Sequence, residues 1–133
     1  MRAVVRWSCY VTTTVCPMPD CEEEESIDHL ILECPRTQVV WDQLKSIGLP
    51  IAIDQNSICY GLMPNVEETQ KDICFLIIGI TLRQIWKTRC RMTIDGLYVT
   101  GQTVYKQIIT EMKRRRTLDI KKGEEQKWNF LTF

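Results

Sequence analysis

A mainly α-helical small domain with a proline-rich knuckle near its N-terminus is the fold this sequence predicts, and three observations predict it. Residues 66–93 open with polar Glu67, Glu68, Gln70 and Lys71 and continue through an almost wholly apolar middle, as a helix running into a core does. After Thr100, a good N-cap, residues Val104, Tyr105, Ile108, Ile109 and Met112 recur at helical spacing. Between Cys16 and Cys21, Pro17 and Pro19 forbid regular helix and favour a tight turn. The chain has 133 residues, 44% of them apolar, which suffices for one domain with a core of its own.

Along the chain, residues 1–15 alternate loosely and are rich in Val and Thr, which suits a short strand or an extended lead-in. Past the 16–21 knuckle, Ser26 reads as the N-cap of a short helix carrying Ile27, Leu30, Ile31 and Leu32. Glu24, Glu25 and Asp28 lie against its positive end. Pro35 ends that helix and opens the next, over 36–45, with Val39, Val40, Trp41 and Leu44 inward and Gly48 as its stop. Residues 51–65 show no period and read as loop, with turns at Gly61 and Pro64. An Asp95-Gly96 turn separates the long helix from the last one, whose final turn carries Lys113, Arg114, Arg115 and Arg116, where positive charge suits the negative end of the helix dipole. Beyond Gly123 the chain is polar and then aromatic, ending in Trp128, Phe130 and Phe133. The expected organisation is a knuckle with two short helices over 1–48, a helical region over 49–122 and a tail over 123–133.

Seventeen basic residues balance seventeen acidic ones, so bulk charge selects neither a nucleic acid nor a membrane. The distribution is more telling. Residues 16–72 hold twelve acids and three bases, whereas residues 83–122 hold eleven bases and three acids. The most apolar stretch, 73–80, is about half the roughly 20 residues a membrane span needs, and is expected to be a buried helix. No uninterrupted apolar run of signal-peptide length opens the chain, and seven cysteines cannot all pair within it. Both points favour an intracellular protein, nuclear or cytoplasmic, with reduced thiols.

Those thiols carry the chemistry. Cys16-x4-Cys21-x7-His29-x4-Cys34 gathers three thiolates and the only imidazole of the chain into nineteen residues, the donor number and softness that tetrahedral zinc prefers. A turn brings Cys16 to Cys21, and His29 and Cys34 converge if the short helix unwinds where Pro35 breaks it. Four protein donors leave no position for water, so a structural zinc is expected rather than hydrolysis. Glu22 to Glu25 are weaker candidates. The competing readings are small buried apolar cysteines beside a hydrogen-bonded histidine, and a Cys-His nucleophile pair, for which no base or oxyanion donor is identifiable. No enzyme activity and no small-molecule substrate are expected.

Cys16-Pro17-Met18-Pro19-Asp20-Cys21, Glu24-Glu25-Ser26-Ile27-Asp28-His29-Leu30, Cys34-Pro35 and Val40-Trp41 together resemble the zinc-binding C-terminal region of LINE-type, non-LTR retrotransposon reverse transcriptases. In that family two cysteines precede an acidic spacer, a His-Leu pair, a Cys-Pro and a later tryptophan. Tyr60-Gly61 and Ile85-Trp86-Lys87-Thr88-Arg89-Cys90-Arg91 are similar to the family's Tyr-Gly and its Trp-Lys-x-Arg segment. The likeness runs from about residue 16 to residue 116, and the four-residue gap between the first cysteines is the less familiar variant. None of the acidic motifs of the family's endonuclease and polymerase is found, so the chain reads as a C-terminal fragment, a remnant open reading frame, or a host gene derived from such an element.

That resemblance implies a non-catalytic module that holds RNA or single-stranded DNA. The residues expected to do so are Arg83, Lys87, Arg89 and Arg91 on one helix, Lys113, Arg114, Arg115 and Arg116 on another, and Trp86 stacked on an unpaired base. The opposing reading makes Trp86 core and the cations solvated helix faces. From a different class comes a structural or protein-interaction module, which exposed aromatics in the tail would favour, and a third reading is a chain with no selected function.

Overall fold

A computed structural model describes residues 15–18 and 21–133, so the strand or lead-in expected over residues 1–14, with Cys9, lies outside the described residues. The chain is mainly helical, with a Cys/His cluster near the N-terminal end of the described residues. A short antiparallel bridge joins Val15 to Glu24, and a helical turn that starts after Ser26 widens into a π turn over His29–Glu33. Four α-helices follow: α1 (Pro35–Ser46), α2 (Gln55–Tyr60), α3 (Glu68–Ile94) and α4 (Gly101–Lys121). A 3-10 turn, Glu125–Trp128, closes the order.

Helix α1 starts on Pro35, whose fixed φ and missing N–H suit a first position, and it buries Val40, Trp41 and Leu44. Val39, expected inward, is instead 41% exposed. It abuts the first residue of α4, where a side chain on Gly101 would come within 2.7 Å of the Arg36 carbonyl, so a glycine there lets α1 and α4 pack closely.

Residues 51–65 are not all loop. Asp54 accepts a hydrogen bond from the Ser57 N–H at 2.8 Å and caps α2, and Gly61 ends it in the left-handed conformation at φ 68°. A helix of 6 residues that buries only Ser57 and Ile58 has too few apolar positions to show a period.

The 27 residues of α3 span roughly 40 Å at 1.5 Å per residue, and Ile73, Cys74, Ile77, Ile78, Ile80 and Ile85 are buried along it. Helix α4 is capped as expected, Thr100 accepting from the Thr103 N–H at 3.2 Å, and it buries Val104, Ile108 and Met112 against α1 and α3.

The C-terminal aromatics are not displayed to solvent. Trp128 is 2% exposed, its indole N–H donates to Asp119 Oδ2 at 2.7 Å, and the Phe133 ring meets it edge-on. The Thr132 N–H donates to the Ile47 carbonyl at 2.9 Å, pinning the end of the chain to the end of α1. One core therefore includes Val40 from 1–48, Ile77 and Ile108 from 49–122, and Trp128 from 123–133. A second, smaller cluster consists of Cys16, Met18, Cys21 and Cys34, with Met92 of α3 against it. Among the described residues no helix is long and apolar enough to cross a membrane.

Candidate metal centre and basic helix face

Cys16 and Cys21 lie on one hairpin. Its backbone is tied by the Cys16 N–H to the Glu23 carbonyl at 2.9 Å and by the Cys21 N–H to the Met18 carbonyl at 3.2 Å. His29 is placed by its own N–H, which donates to Ser26 Oγ at 3.0 Å, the cap expected of that serine. Cys34 is five residues further on. In an ordinary α-helix that separation leaves two side chains about 140° apart. Here the Cys34 N–H reaches back to the His29 carbonyl at 2.7 Å, and this wider turn swings Cys34 round to the side of His29.

Widening the turn leaves carbonyls to satisfy. Pro35 has no N–H to give Ile31, and the Cys34 N–H that would have served Leu30 is spent on His29. Two side chains of α1 supply the donors: Thr37 Oγ1 bonds the Leu30 carbonyl at 2.6 Å and Trp41 Nε1 bonds the Ile31 carbonyl at 2.8 Å. The tryptophan after the Cys-Pro step is thus both core and the partner of the group that the proline strands. Trp41→Phe should remove that donor and, at a fully buried position, leave a smaller ring with a small cavity beside it. It is expected to lower stability by about 1–3 kcal/mol, the cost of a buried unsatisfied carbonyl, read from the denaturant midpoint. An unchanged midpoint would show that water replaces the indole.

The four donor atoms of Cys16, Cys21, His29 and Cys34 all lie within 4.8 Å of one another. Cys16 and Cys34 sulfurs are 3.9 Å apart, and Cys21 Sγ is 3.4 Å from His29 Nε2. Two sulfurs at 2.3 Å from one tetrahedral ion would be about 3.8 Å apart, so the set has the size of a metal's coordination sphere. It is far too open for a disulfide, whose sulfurs sit about 2.05 Å apart, and the described cysteines are free. Burial, together with neighbouring Cys34 and Cys21 and against a backbone hydrogen bond at Met18, pushes the Cys16 thiol up to about 12. A bound cation would reverse that preference by stabilising the thiolate. The four residues could therefore hold a metal ion, and the Cys21–His29 contact is one edge of that cluster.

Outside the donor set, Cys74 is core, its thiol raised by burial to about 11, while Cys59 is exposed. Beside the donors lies Arg36, buried and donating Nη1 to the Val99 carbonyl at 3.3 Å. Burial lowers its pKa, and the Cys34 and Cys16 sulfurs act to raise it, so a cation sits within the electrostatic reach of the thiols. No sequence signal singles Arg36 out.

Of the residues expected to bind nucleic acid, Arg83, Trp86, Lys87 and Arg91 line one concavity of about 390 Å³ on α3. Trp86 is 37% exposed, neither core nor free-standing. Arg83, Lys87 and Arg91 are exposed and make no ion pair among the described residues. Arg89 must be removed from that set. It is 0% exposed and clamps Glu25 with two hydrogen bonds, Nε to Oε1 at 2.8 Å and Nη2 to Oε2 at 2.7 Å, while its guanidinium lies 5.6 Å from the centroid of the Trp86 ring. Burial alone would lower its pKa, but Glu25 outweighs that and holds it up. The reason is helical geometry: six residues at 100° each place Arg89 about 240° round from Arg83. Glu25 is correspondingly buried and does not serve as a charge at the helix start.

The α4 cations are largely engaged. Arg114 and Arg115 both bond Glu111, at 2.7 Å and 3.2 Å, and these hydrogen bonds, Arg114's first, hold its carboxyl down at about 2. Arg116 lies 4.1 Å over the Phe133 ring and donates to the Phe133 carbonyl. Lys113 is exposed and unpaired among the described residues. Arg115 also faces Arg83 across a second concavity.

The fold and the cluster together define a small helical protein with a four-donor Cys/His site. Comparison with family models, with curated proteins and with solved structures finds no match to this chain.

Proposed function

We propose that this chain is a non-catalytic module that binds one structural zinc ion and holds RNA or single-stranded DNA, of the kind carried at the C-terminal side of LINE-type retrotransposon reverse transcriptases. The observation that carries the reading is the convergence of Cys16, Cys21, His29 and Cys34, at the spacing of that family, onto one point. Three soft thiolates and one imidazole select zinc over the hard cations, and four protein donors would fill its sphere, so the ion would hold structure rather than activate water.

The nucleic-acid part rests on α3. Arg83, Lys87 and Arg91 make no ion pair among the described residues and outnumber Asp95, the one carboxylate among the residues lining the same concavity, beside an aromatic ring. Solvated charges of one sign on a helix face attract a phosphate backbone through counterion release. Replacing all three with alanine, a good helix former, should weaken binding of a single-stranded oligonucleotide at least ~10-fold and reduce the log–log salt slope by about 2, at roughly 0.7 per lost phosphate contact. Alanine at Arg114 and Arg115, already held by Glu111, should do less. An oligonucleotide affinity unmoved by the triple change would reject the reading.

A protein-interaction module is the alternative, favoured by Ile94, Leu97 and Tyr98, which stand exposed where α3 turns into α4. An apolar interface there would hold at salt concentrations that dissolve phosphate contacts.

A further inference from the structure

Gly79 sits in the middle of α3, on its exposed side, and a Cβ placed there would meet nothing within 4 Å. Glycine is a poor residue for a helix interior. At Gly101 the missing side chain is used by a packed neighbour, but at Gly79 nothing in the described chain uses the space. That space is the floor of the second concavity, about 330 Å³, whose walls include Phe75, Arg83, Gln84, Glu111 and Arg115.

The walls have a specific character. Phe75 and Arg83 stand one helical turn before and one after Gly79, on the same face. The Phe75 ring is 48% exposed, yet it is not adrift: its Cε1 would lie 2.7 Å from a side chain on Gly61, so the bare Gly61 backbone seats it. Arg83 also lines the first concavity and joins the two. A greasy protein side chain in this place would take the Arg83 guanidinium and the Gln84 amide out of water without partners for them. A nucleotide would instead meet them with a polar base edge and a phosphate, and Glu111, which opposes an anion, is already held by Arg114 and Arg115.

We propose that the concavity over Gly79 is a base-stacking subsite for an unpaired nucleotide, with the base flat on the bare helix backbone against Phe75 and its phosphate at Arg83. The proposal rests on the nucleic-acid reading above and deepens it by naming single-stranded, base-bearing nucleic acid as the ligand. A duplex, whose bases are stacked on each other, does not fit this subsite.

Gly79→Leu is the decisive variant, because its Cβ meets nothing within 4 Å, its side chain occupies the floor, and leucine is a better helix former than glycine. The probes are a short single-stranded oligoribonucleotide and an abasic strand of the same length and charge. Wild type is expected to prefer the base-bearing strand by roughly 5- to 150-fold, the range of one base–aromatic stack. Gly79→Leu, with helix content by circular dichroism equal or higher, should bind both strands alike at the abasic level, and Phe75→Ala should act in the same direction. Three results overturn the proposal. If Gly79→Leu keeps the preference while the alanine triple at Arg83, Lys87 and Arg91 weakens both strands, the nucleic-acid reading stands and the subsite falls. If wild type binds the two strands equally, the subsite likewise falls alone. If the triple variant binds as wild type does, both readings fall together.

Discussion

Alanine at Cys21 or at His29 is expected to take the metal content of the purified protein from one ion per chain to none, while α3 remains formed. The first half follows from coordination. Three remaining donors leave an open position, and water is a poor replacement for a buried thiolate or imidazole in a structural site. The second half follows from the division of the apolar residues. Ile77, Ile85, Val104 and Ile108 are buried at a distance in sequence from the hairpin, and the large core that holds most of them does not include the cysteine cluster. Besides the Glu25–Arg89 pair at its base, the hairpin packs among the described residues through few apolar side chains, Met18 and the cysteines themselves, with Met92 alongside. Apparent binding free energies of structural zinc are on the order of 10–16 kcal/mol, and in a segment this small that energy is folding energy. A chelator should therefore make residues 15–34 exchange their amide hydrogens quickly and leave 68–94 protected. The direction with pH is also set. Burial holds the metal-free Cys16 thiol at about 12, so loading the site releases protons, and affinity must rise as pH rises and fall in acid. Elemental analysis decides the assignment, and equal metal in wild type and both variants would end it.

How far the sequence reveals this arrangement depends on the range of the interaction. Local chemistry is readable. Ser26, Thr100 and the Pro35 start act as caps and breaks within a few residues, and each is where the sequence places it. The donor set is readable too, because a turn and one helix end bring four potential donors together within nineteen residues. Helix α2 is half readable: its Asp54 cap and Gly61 stop are both in plain view, but so short a helix has no period to confirm them. Long-range pairings are hidden. Nothing near Glu25 in the chain distinguishes it from Glu22, Glu23 and Glu24, which are exposed, and its partner is 64 residues away. The helical position of Arg89 was the available clue, since it alone of the α3 basic run points away from the face of Arg83, Lys87 and Arg91. The tail misleads for a related reason. A polar stretch before Trp128 suggests solvent, whereas Asp119, nine residues upstream, gives the indole N–H a partner inside the fold.

That buried pair leads to the second large effect. Glu25→Ala is expected to destabilise the fold by about 3–5 kcal/mol, because it removes the carboxylate to which a fully buried guanidinium donates two hydrogen bonds. The pair has side chains at 0% and 1% exposure, and its two hydrogen bonds fix both oxygens of the carboxylate. Glu25 lies between Glu24, which bridges to Val15, and Ser26, which caps the turn carrying His29. The clamp therefore ties the metal hairpin to α3. Thr93 adds a weaker contact to Arg89, at 3.4 Å, and the Trp86 ring covers one side of the guanidinium. Neither can replace a negative charge. Arg89→Met should cost a comparable amount by stranding the carboxylate instead. The combined Glu25→Leu and Arg89→Met variant should recover much of the loss, since an apolar pair of similar volume removes both orphaned charges. Glu25→Leu, Arg89→Met and their double form a cycle whose coupling energy is read from denaturant midpoints. Singles that each cost under about 1 kcal/mol, as an exposed pair would, would mean that water reaches this clamp and that it does not hold the hairpin to α3.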